Sequence, residues 1–448
     1  MRTCRKFPAI LLFTQLIAAN LFGQDSTSSQ SNSIIGINSE LSYLLLDQNQ
    51  NLRKTILLLE NRQKDQLRNK SLIIGTSLLA ILDYQKASHD SKFGYLMRHP
   101  TSSNQIRKEV SEAVIHSFQL SVTGAVNNWL TVHSELLYNP EQSFGAGTIT
   151  ALGRNQIQLR KGMVVFGDLD KFPVYGAIGK MDAPFGQTGS VSPFTNSTMW
   201  HAFGGLAYGA QVGFKKWGLH GTFMAVQGGA QFRALNTPVG DSTAVPSKIN
   251  NFVADLNYDI RVSAKTKMSL GGSYMHGSAY CHDFPVTHFD ACGYINPAYT
   301  YYGKISFDER LILKGGFAKT LKVWKGTFNP TPPLDIFPAS KVSSLDYGAQ
   351  FNFKFNETVK YTVSAEFSNF IAGAEGAPWE RQNQIIVGFA GLINKSAKLF
   401  VEYFHTDGYV PLNFISGSAP FEPFPPGVTH SLRDTQSNGI VVGAQITF

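Results

Sequence analysis

Ten charged residues fall on the polar parity of stretches in which apolar and polar side chains alternate. They are Arg160, Lys180, Arg261, Lys304, Lys314 and Lys354, with Glu135, Asp255, Asp259 and Glu366. Residues i, i+2 and i+4 of an extended strand share a face, so such a set would line one side of a sheet. Charges on the inner wall of a water-filled barrel select solutes by long-range field and by direct pairing. Six basic against four acidic groups point to a modest preference for anions. A wet lumen also needs polar side chains merely to stay hydrated, and that reading accounts for the same residues equally well.

Catalysis finds less support. A nucleophile with a base and an orienting group, or paired carboxylates on neighbouring strands, would be its signature. His116, His133, His220 and His276 lie on or near alternating stretches, and His133 shares the parity of Glu135. No nucleophile is spaced to use them, and no glycine-rich phosphate loop stands between a strand and a helix. Neither an enzymatic activity nor a cofactor is expected. Cys281 and Cys292 stand in a polar stretch, which suits a loop disulfide in an oxidising compartment. His282, Asp283, His288 and Asp290 share that stretch, but their spacing matches no ligand pattern. A stapled surface loop is therefore preferred to a metal site.

The elements that position these groups begin after an export signal. Arg2, Arg5 and Lys6 precede an apolar run from Pro8 to Phe22, with Gly23 at the expected cleavage point. The run is shorter than the roughly 20 apolar residues of a spanning helix and is broken by Gln15 and Asn20. Removing residues 1–23, and Cys4 with them, leaves 36 basic residues (39 less Arg2, Arg5 and Lys6) against 31 acidic, a net charge of +5. That balance suits small anions or lipopolysaccharide, and no nucleic acid is expected as a partner. Only 16% of the 448 residues are charged, 12% are aromatic and 41 are glycine, while mean hydropathy is −0.09. Strands that spend alternate residues on lipid and on lumen give this near-neutral mean.

Residues 24–36 read as a flexible linker and 37–70 as a helical arm. Leu45, Leu52 and Leu59 recur every seven residues with Ile56 on a second seam, which Ser42, Asn49 and Gln63 make largely polar. A short periplasmic coiled coil is the preferred reading, with an amphipathic helix or a helix lying against the barrel mouth as the alternatives. From Ser71 the period becomes two. On the first strand Leu72, Ile74, Leu78, Leu82 and Tyr84 share one parity and Gly75, Ser77 and Asp83 the other, a second face blurred by Ile73, Leu79 and Ile81. Later stretches alternate cleanly, as with Phe351, Phe353 and Phe355 against Gln350, Asn352 and Lys354.

Short turns are expected near Asn127–Asn128, Leu169–Lys171, Lys216–Trp217, Ser263–Lys265, Asp308–Glu309, Glu357–Thr358 and Asn394–Ser396. Long surface loops alternate with them at 89–114, 139–154, 184–201, 232–248, 281–295, 325–342, 373–382 and 412–434, the last being the candidate to fold inward. Seven turns and eight loops imply sixteen strands. The fold class is all-β: residues 71–448 form a transmembrane antiparallel β-barrel of about 16 strands in the cell outer membrane, following a short helical or coiled-coil arm. A terminal Phe448 on an amphipathic last strand resembles the signal read by the barrel assembly machinery. Outer-membrane lipid and lipopolysaccharide are the other expected contacts, and homo-oligomerisation is left open.

The stretch around the fourth and fifth strands carries GDLDKFPVY (Gly167 to Tyr175), GK-x4-FG (Gly179 to Gly186) and SPFTNS (Ser192 to Ser197). These segments resemble the LbtU family of outer-membrane siderophore porins, the group that contains the legiobactin receptor. The resemblance runs from Ser71 to Phe448, and the helical arm also suits the family. It implies a sixteen-stranded barrel that takes up an iron-loaded, anionic polycarboxylate siderophore. The segment before the first strand leaves no room for the folded plug domain of the energy-coupled receptors. General diffusion with a mild anion preference and a surface adhesin or anchor are the alternatives.

Overall fold

The alternation produces seventeen strands among the residues that the computed structural model describes: 34–47, 53–92, 106–138, 157–227, 248–281, 294–324, 336–354, 356, 358–377, 380–408 and 434–448. A two-residue strand, β1 (Ile35–Gly36), is followed by β2 (Ser71–Lys92), β3 (Ile106–Asn127), β4 (Leu130–Tyr138), β5 (Ile157–Phe166), β6 (Val174–Asp182), β7 (Leu206–Lys216), β8 (Leu219–Gln227) and β9 (Ile249–Arg261). The second half holds β10 (Thr266–Met275), β11 (Ala298–Phe307), β12 (Leu311–Thr320), β13 (Ser343–Lys354), β14 (Val359–Ile371), β15 (Arg381–Ile393), β16 (Ala397–Gly408) and β17 (Gln436–Thr447). Each strand from β2 to β17 pairs antiparallel with the next. The ring closes through β17 and β2, with Ile440 opposite Tyr84 and Ala444 opposite Ala80. The barrel therefore has the sixteen strands expected, and β1 adds only a parallel bridge of Ile35 and Gly36 to Leu72 and Ile73.

The two faces of the wall have opposite chemistry. Ile385, Val387 and Phe389 on β15, Leu399, Val401 and Tyr403 on β16, and Ile440 and Val442 on β17 are exposed on the outside. Gln384, Glu402 and Gln445 on the same strands are buried on the inside. A closed antiparallel ring satisfies its own backbone groups, and an apolar outer band of this kind belongs in hydrocarbon. The chain is a transmembrane β-barrel of the outer-membrane type. No helix among the described residues is long and apolar enough to cross a membrane; the strands cross instead.

All seven expected short turns join consecutive strands at one end, the end that faces the periplasm in such barrels. Asp308–Glu309 and Asn394–Lys395 both hold positive φ, from 48° to 58°, as a turn matched to the twist of a hairpin requires. The chain enters β2 and leaves β17 at this same end, where Phe448 exchanges backbone hydrogen bonds with Thr76. At the opposite end Cys281 is disulfide-bonded; its expected partner, Cys292, lies outside the described residues, as does most of the 412–434 loop.

Two expectations about the interior are overturned. The arm at 37–70 is two short helices, α1 (Ser39–Leu46) and α2 (Lys54–Gln63), and they do not project as a coiled coil. Their buried leucines, Leu41, Leu45, Leu58 and Leu59, pack with the inward residues Ile73, Met163 and Val165, so the helices lie inside the barrel. The inner wall supplies the apolar partner that a second helix would supply in a coiled coil. The second concerns 184–201, expected as a surface loop. The connection from β6 to β7, which carries α3 (Thr198–Phe203), folds into the lumen.

Candidate functional site

The inner helices form a plug tied to the wall on several sides. Buried leucines supply most of its adhesion, each worth about 1.5–3 kcal/mol when fully withdrawn from water. Polar ties set its position. The Gln119 amide donates to the Leu46 carbonyl at 3.0 Å, Lys215 pairs with Glu60, Gln63 donates to Asp170 at 2.9 Å, and Lys395 pairs with Glu40 at 2.8 Å. At the start of α2, Arg53 reaches Asp255 on β9 at 2.5 Å, and the carboxylate holds the guanidinium above its usual range against the cost of burial. Asp255 is fully used, accepting also from Ser273 at 2.6 Å and from the Tyr302 hydroxyl at 2.7 Å. Lys54 is buried beside it, and burial, with Lys161 adding to it, pulls its amine down to about 7. Gly75 lets α1 approach: a Cβ there would lie 2.4 Å from Ser42 Oγ.

The β6–β7 connection is fastened across the lumen to strands far along the chain. Glu366 on β14 accepts from Ser190 Oγ at 2.8 Å and from the Val191 amide at 2.9 Å. Glu402 on β16 accepts from the Phe194 amide at 2.5 Å, the Thr195 amide at 3.0 Å and Thr195 Oγ1 at 2.5 Å. Lys314 donates to the Gly189 carbonyl, and the Gln384 amide to the Asn196 carbonyl at 2.9 Å. Between these ties Phe194 sinks into an apolar seat of Leu79, Ile81, Ile386, Phe400, Phe404 and Val441. Its ring stacks on Phe400 with centroids 5.6 Å apart and meets His116 edge-on at 5.2 Å. The segment is a constriction loop, and its anchor lies within the SPFTNS stretch.

Small residues on the wall make room for it. A Cβ on Gly388 would stand 2.4 Å from Pro193 Cδ, and one on Gly348 would stand 2.6 Å from Val191 Cγ2. Gly388→Ala is therefore expected to lift the loop from β15 while the strand ladder persists. Faster amide exchange at Phe194 and Thr195, with unchanged exchange in β15 and β16, is the outcome to measure. Unchanged loop exchange would mean that the proline ring can step aside.

Of the ten charged residues expected on the inner wall, nine are there. Lys180 is not. It shares the face of Ile178, which is 59% exposed on the lipid side, and pairs across strands with Gly162 and Tyr208. Its amine donates to the Leu159 carbonyl at 2.9 Å and lies 5.6 Å from the centre of the Tyr208 ring. A long stem lets a lysine near the end of a strand cover apolar surface in this way. Arg160 does point inward, together with its neighbour Lys161, because a bulge opposite Glu135 and Leu136 inserts an extra residue into β5. Arg160 pairs with Glu135 at 3.3 Å and Lys161 with Asp182 at 2.7 Å.

The inward nine divide by what they do. Glu135, Arg160, Asp255, Lys314 and Glu366 are consumed by the plug, the loop or each other; Lys314, for instance, pairs with Asp346 at 2.6 Å and with Glu366 at 3.4 Å. Arg261, Lys304 and Lys354 are exposed on the inner wall of β9 to β13, and Asp259 with them. Lys360, directly opposite Lys354 on β14, joins this set and was missed by sequence reasoning although it shares the inward parity of Glu366. Arg261, Lys304, Lys354 and Lys360 form no ion pair among the described residues. The constriction-loop contacts of Phe194, Glu402 and Lys398 were also missed; the signal was the inward parity of Phe400 and Phe404 beside them. His133 is buried, with its Nδ1 2.9 Å from Thr123 Oγ1, and serves the wall.

No protein-family model matches the chain, and no curated protein does. Solved structures of outer-membrane channels resemble it. The anion-selective porin from Comamonas acidovorans is 12% identical with a TM-score of 0.49, over 84% of this chain and 99% of that one. OprB of Pseudomonas putida is 10% identical with a TM-score of 0.49, over 84% and 94%. The outer-membrane channel DcaP of Acinetobacter baumannii is 11% identical with a TM-score of 0.48, over 84% and 97%. The closed ring of sixteen antiparallel strands rests on the chain's own strand pairing.

Proposed function

We propose that the chain is an outer-membrane channel for small anionic solutes, with passage set by the helical plug, the constriction loop and the basic wall left open between them. The observation that carries this reading is the imbalance of uncommitted charge. Most lumenal carboxylates are held by a named partner: Asp47 by Lys398, Glu135 by Arg160, Asp255 by Arg53, Asp346 and Glu366 by Lys314. On β9 to β14 the exposed inner groups outside any described ion pair are Arg261, Lys304, Lys354 and Lys360 against Asp259, while Lys267 pairs with Glu309. Such a wall concentrates anions and can pair with their oxygens. A lumen filled by two helices and an anchored loop suits a selected solute better than unrestricted diffusion. The resemblance to siderophore porins makes a ferric polycarboxylate the solute class to try first.

The test is a reversal potential across a planar bilayer under a KCl gradient. Wild-type protein should favour chloride, and a Lys304→Glu, Lys354→Glu, Lys360→Glu triple variant should favour potassium. Ferric citrate should reduce the wild-type current in a saturable way and leave that of the triple variant unchanged. Equal ion selectivity in the two proteins would end the reading.

A further inference from the structure

Two cationic side chains each touch both the plug and the constriction loop. Arg53, at the start of α2, pairs with Asp255 and also donates to the Gly186 carbonyl at 3.4 Å. Gly186 is fixed on its other side, where its amide donates to Ser273 Oγ at 2.9 Å, and that hydroxyl donates to Asp255. The four residues thus close a ring that joins plug, loop and wall. Gly186 occupies it with φ +66°, a conformation that side-chain-bearing residues rarely adopt, and a Cβ there would come within 3.3 Å of Thr300. The second joint lies across the lumen. Lys398 on β16 pairs with Asp47 at the end of α1 at 3.4 Å and donates to the Pro193 carbonyl at 2.9 Å. It is buried, between the rings of Tyr43 on the plug and Phe400 on the wall, at 5.7 and 5.9 Å from their centres.

We infer that Arg53 and Lys398 are positioning residues that make the plug and the constriction loop one mechanical body, so that the cross-section open to solute changes at both together. This rests on reading the lumen as a solute path, and it names how that path is regulated. The physical ground is that Arg53 carries a charge of the plug to an acceptor on the loop, while Lys398 satisfies acceptors on plug and loop at once. Withdrawing the plug removes a charged donor from the Gly186 carbonyl at one joint. At the other it removes the carboxylate that shares Lys398 with the Pro193 carbonyl. A buried polar group that loses its partner bears the full cost of desolvation, so the loop is held least firmly when the plug is out. Groups that share a hydrogen-bonded network respond jointly to perturbation of one member.

The test uses the full mature protein and reads amide exchange with no solute present, so its outcome is independent of ion selectivity. Leu58→Ala loosens the plug without touching the loop. It is expected to speed exchange at the Ser42 and Leu57 amides, and at the Gly186, Phe194 and Thr195 amides of the loop, by about tenfold or more. In a protein that also carries Arg53→Met and Lys398→Met, the loop amides should no longer respond to Leu58→Ala. Glu60→Gln, which loosens the far end of the plug at Lys215, should reproduce the pattern if Leu58→Ala disturbs insertion of the barrel. Acceleration confined to the plug would overturn the inference. So would a loop response that survives the loss of both cations.

Discussion

Deleting residues 35–66 is expected to raise single-channel conductance several-fold and to leave a folded barrel. The wall closes through β17 and β2 without any residue of the deleted segment, and a sixteen-stranded ring encloses more space than its own side chains fill. The plug occupies the part of that space bounded by β2, β3, β5 and β6, with Arg53 reaching to β9 and Asp47 to Lys398 on β16. Its removal exposes Ile73, Met163 and Val165 to water, which weakens the lumen side of those strands but breaks no ladder. Folding is checked by the heat-modifiable mobility of the barrel, and conductance in a planar bilayer. Equal conductance in the full and the shortened protein would mean that the helices lie outside the ion path.

Phe194→Ala should release the constriction loop at a cost of about 3–5 kcal/mol to its docking, the usual penalty for emptying an aromatic seat. Six inward apolar residues from β2, β15, β16 and β17 would then face a void that water enters only at the expense of their contacts. Glu402→Gln reaches the same end by another route. The amide that replaces one carboxylate oxygen turns a donor toward the Phe194 and Thr195 amides, leaving a buried N–H without an acceptor, at about 1–3 kcal/mol. Both variants should show a noisier open channel and cleavage of the 183–205 segment by added protease, while the strands resist. A loop that stays resistant in both would show that its hydrogen bonds to Glu366 and Gln384 suffice to hold it.

The sequence made the wall legible and the interior hardly at all. Alternation states which side of a strand is apolar, and turn chemistry states where the strand reverses. Together they located all seven short turns and the sixteen strands. Neither says what covers the polar side. The helical period at 37–70 shows that Leu45 and Leu59 need an apolar partner, and nothing local reveals that the partner is the inner wall. The clue lay in the first strand. Ile73, Leu79 and Ile81 blur its polar face because Ile73 meets the plug, while Leu79 and Ile81 meet Phe194. Phe400 and Phe404 carry the same message on β16. Inward aliphatic and aromatic residues on a barrel strand mark the seats of whatever fills the lumen. Lys180 shares the parity of Ile178 and so lies on the outer face despite its charge. Arg160 points inward only because a bulge turns it there, which strict alternation does not state.

The distance along the chain between partners in the lumen has a consequence for biogenesis. Phe194 and Thr195 bind Glu402 across more than two hundred residues, and α1 is tied to Lys398 across 351. Contacts this remote form late, since loop closure must come first. Until β15 to β17 have joined the wall, the Phe194 ring lacks most of its seat and α1 lacks its tie to Lys398, although the partners of the helix leucines on β2 and β5 are already there. The contents of the lumen therefore settle only as the final strands join the wall. A chain cut short before β16 would be both an open sheet and a sticky one, prone to clump before it reaches lipid.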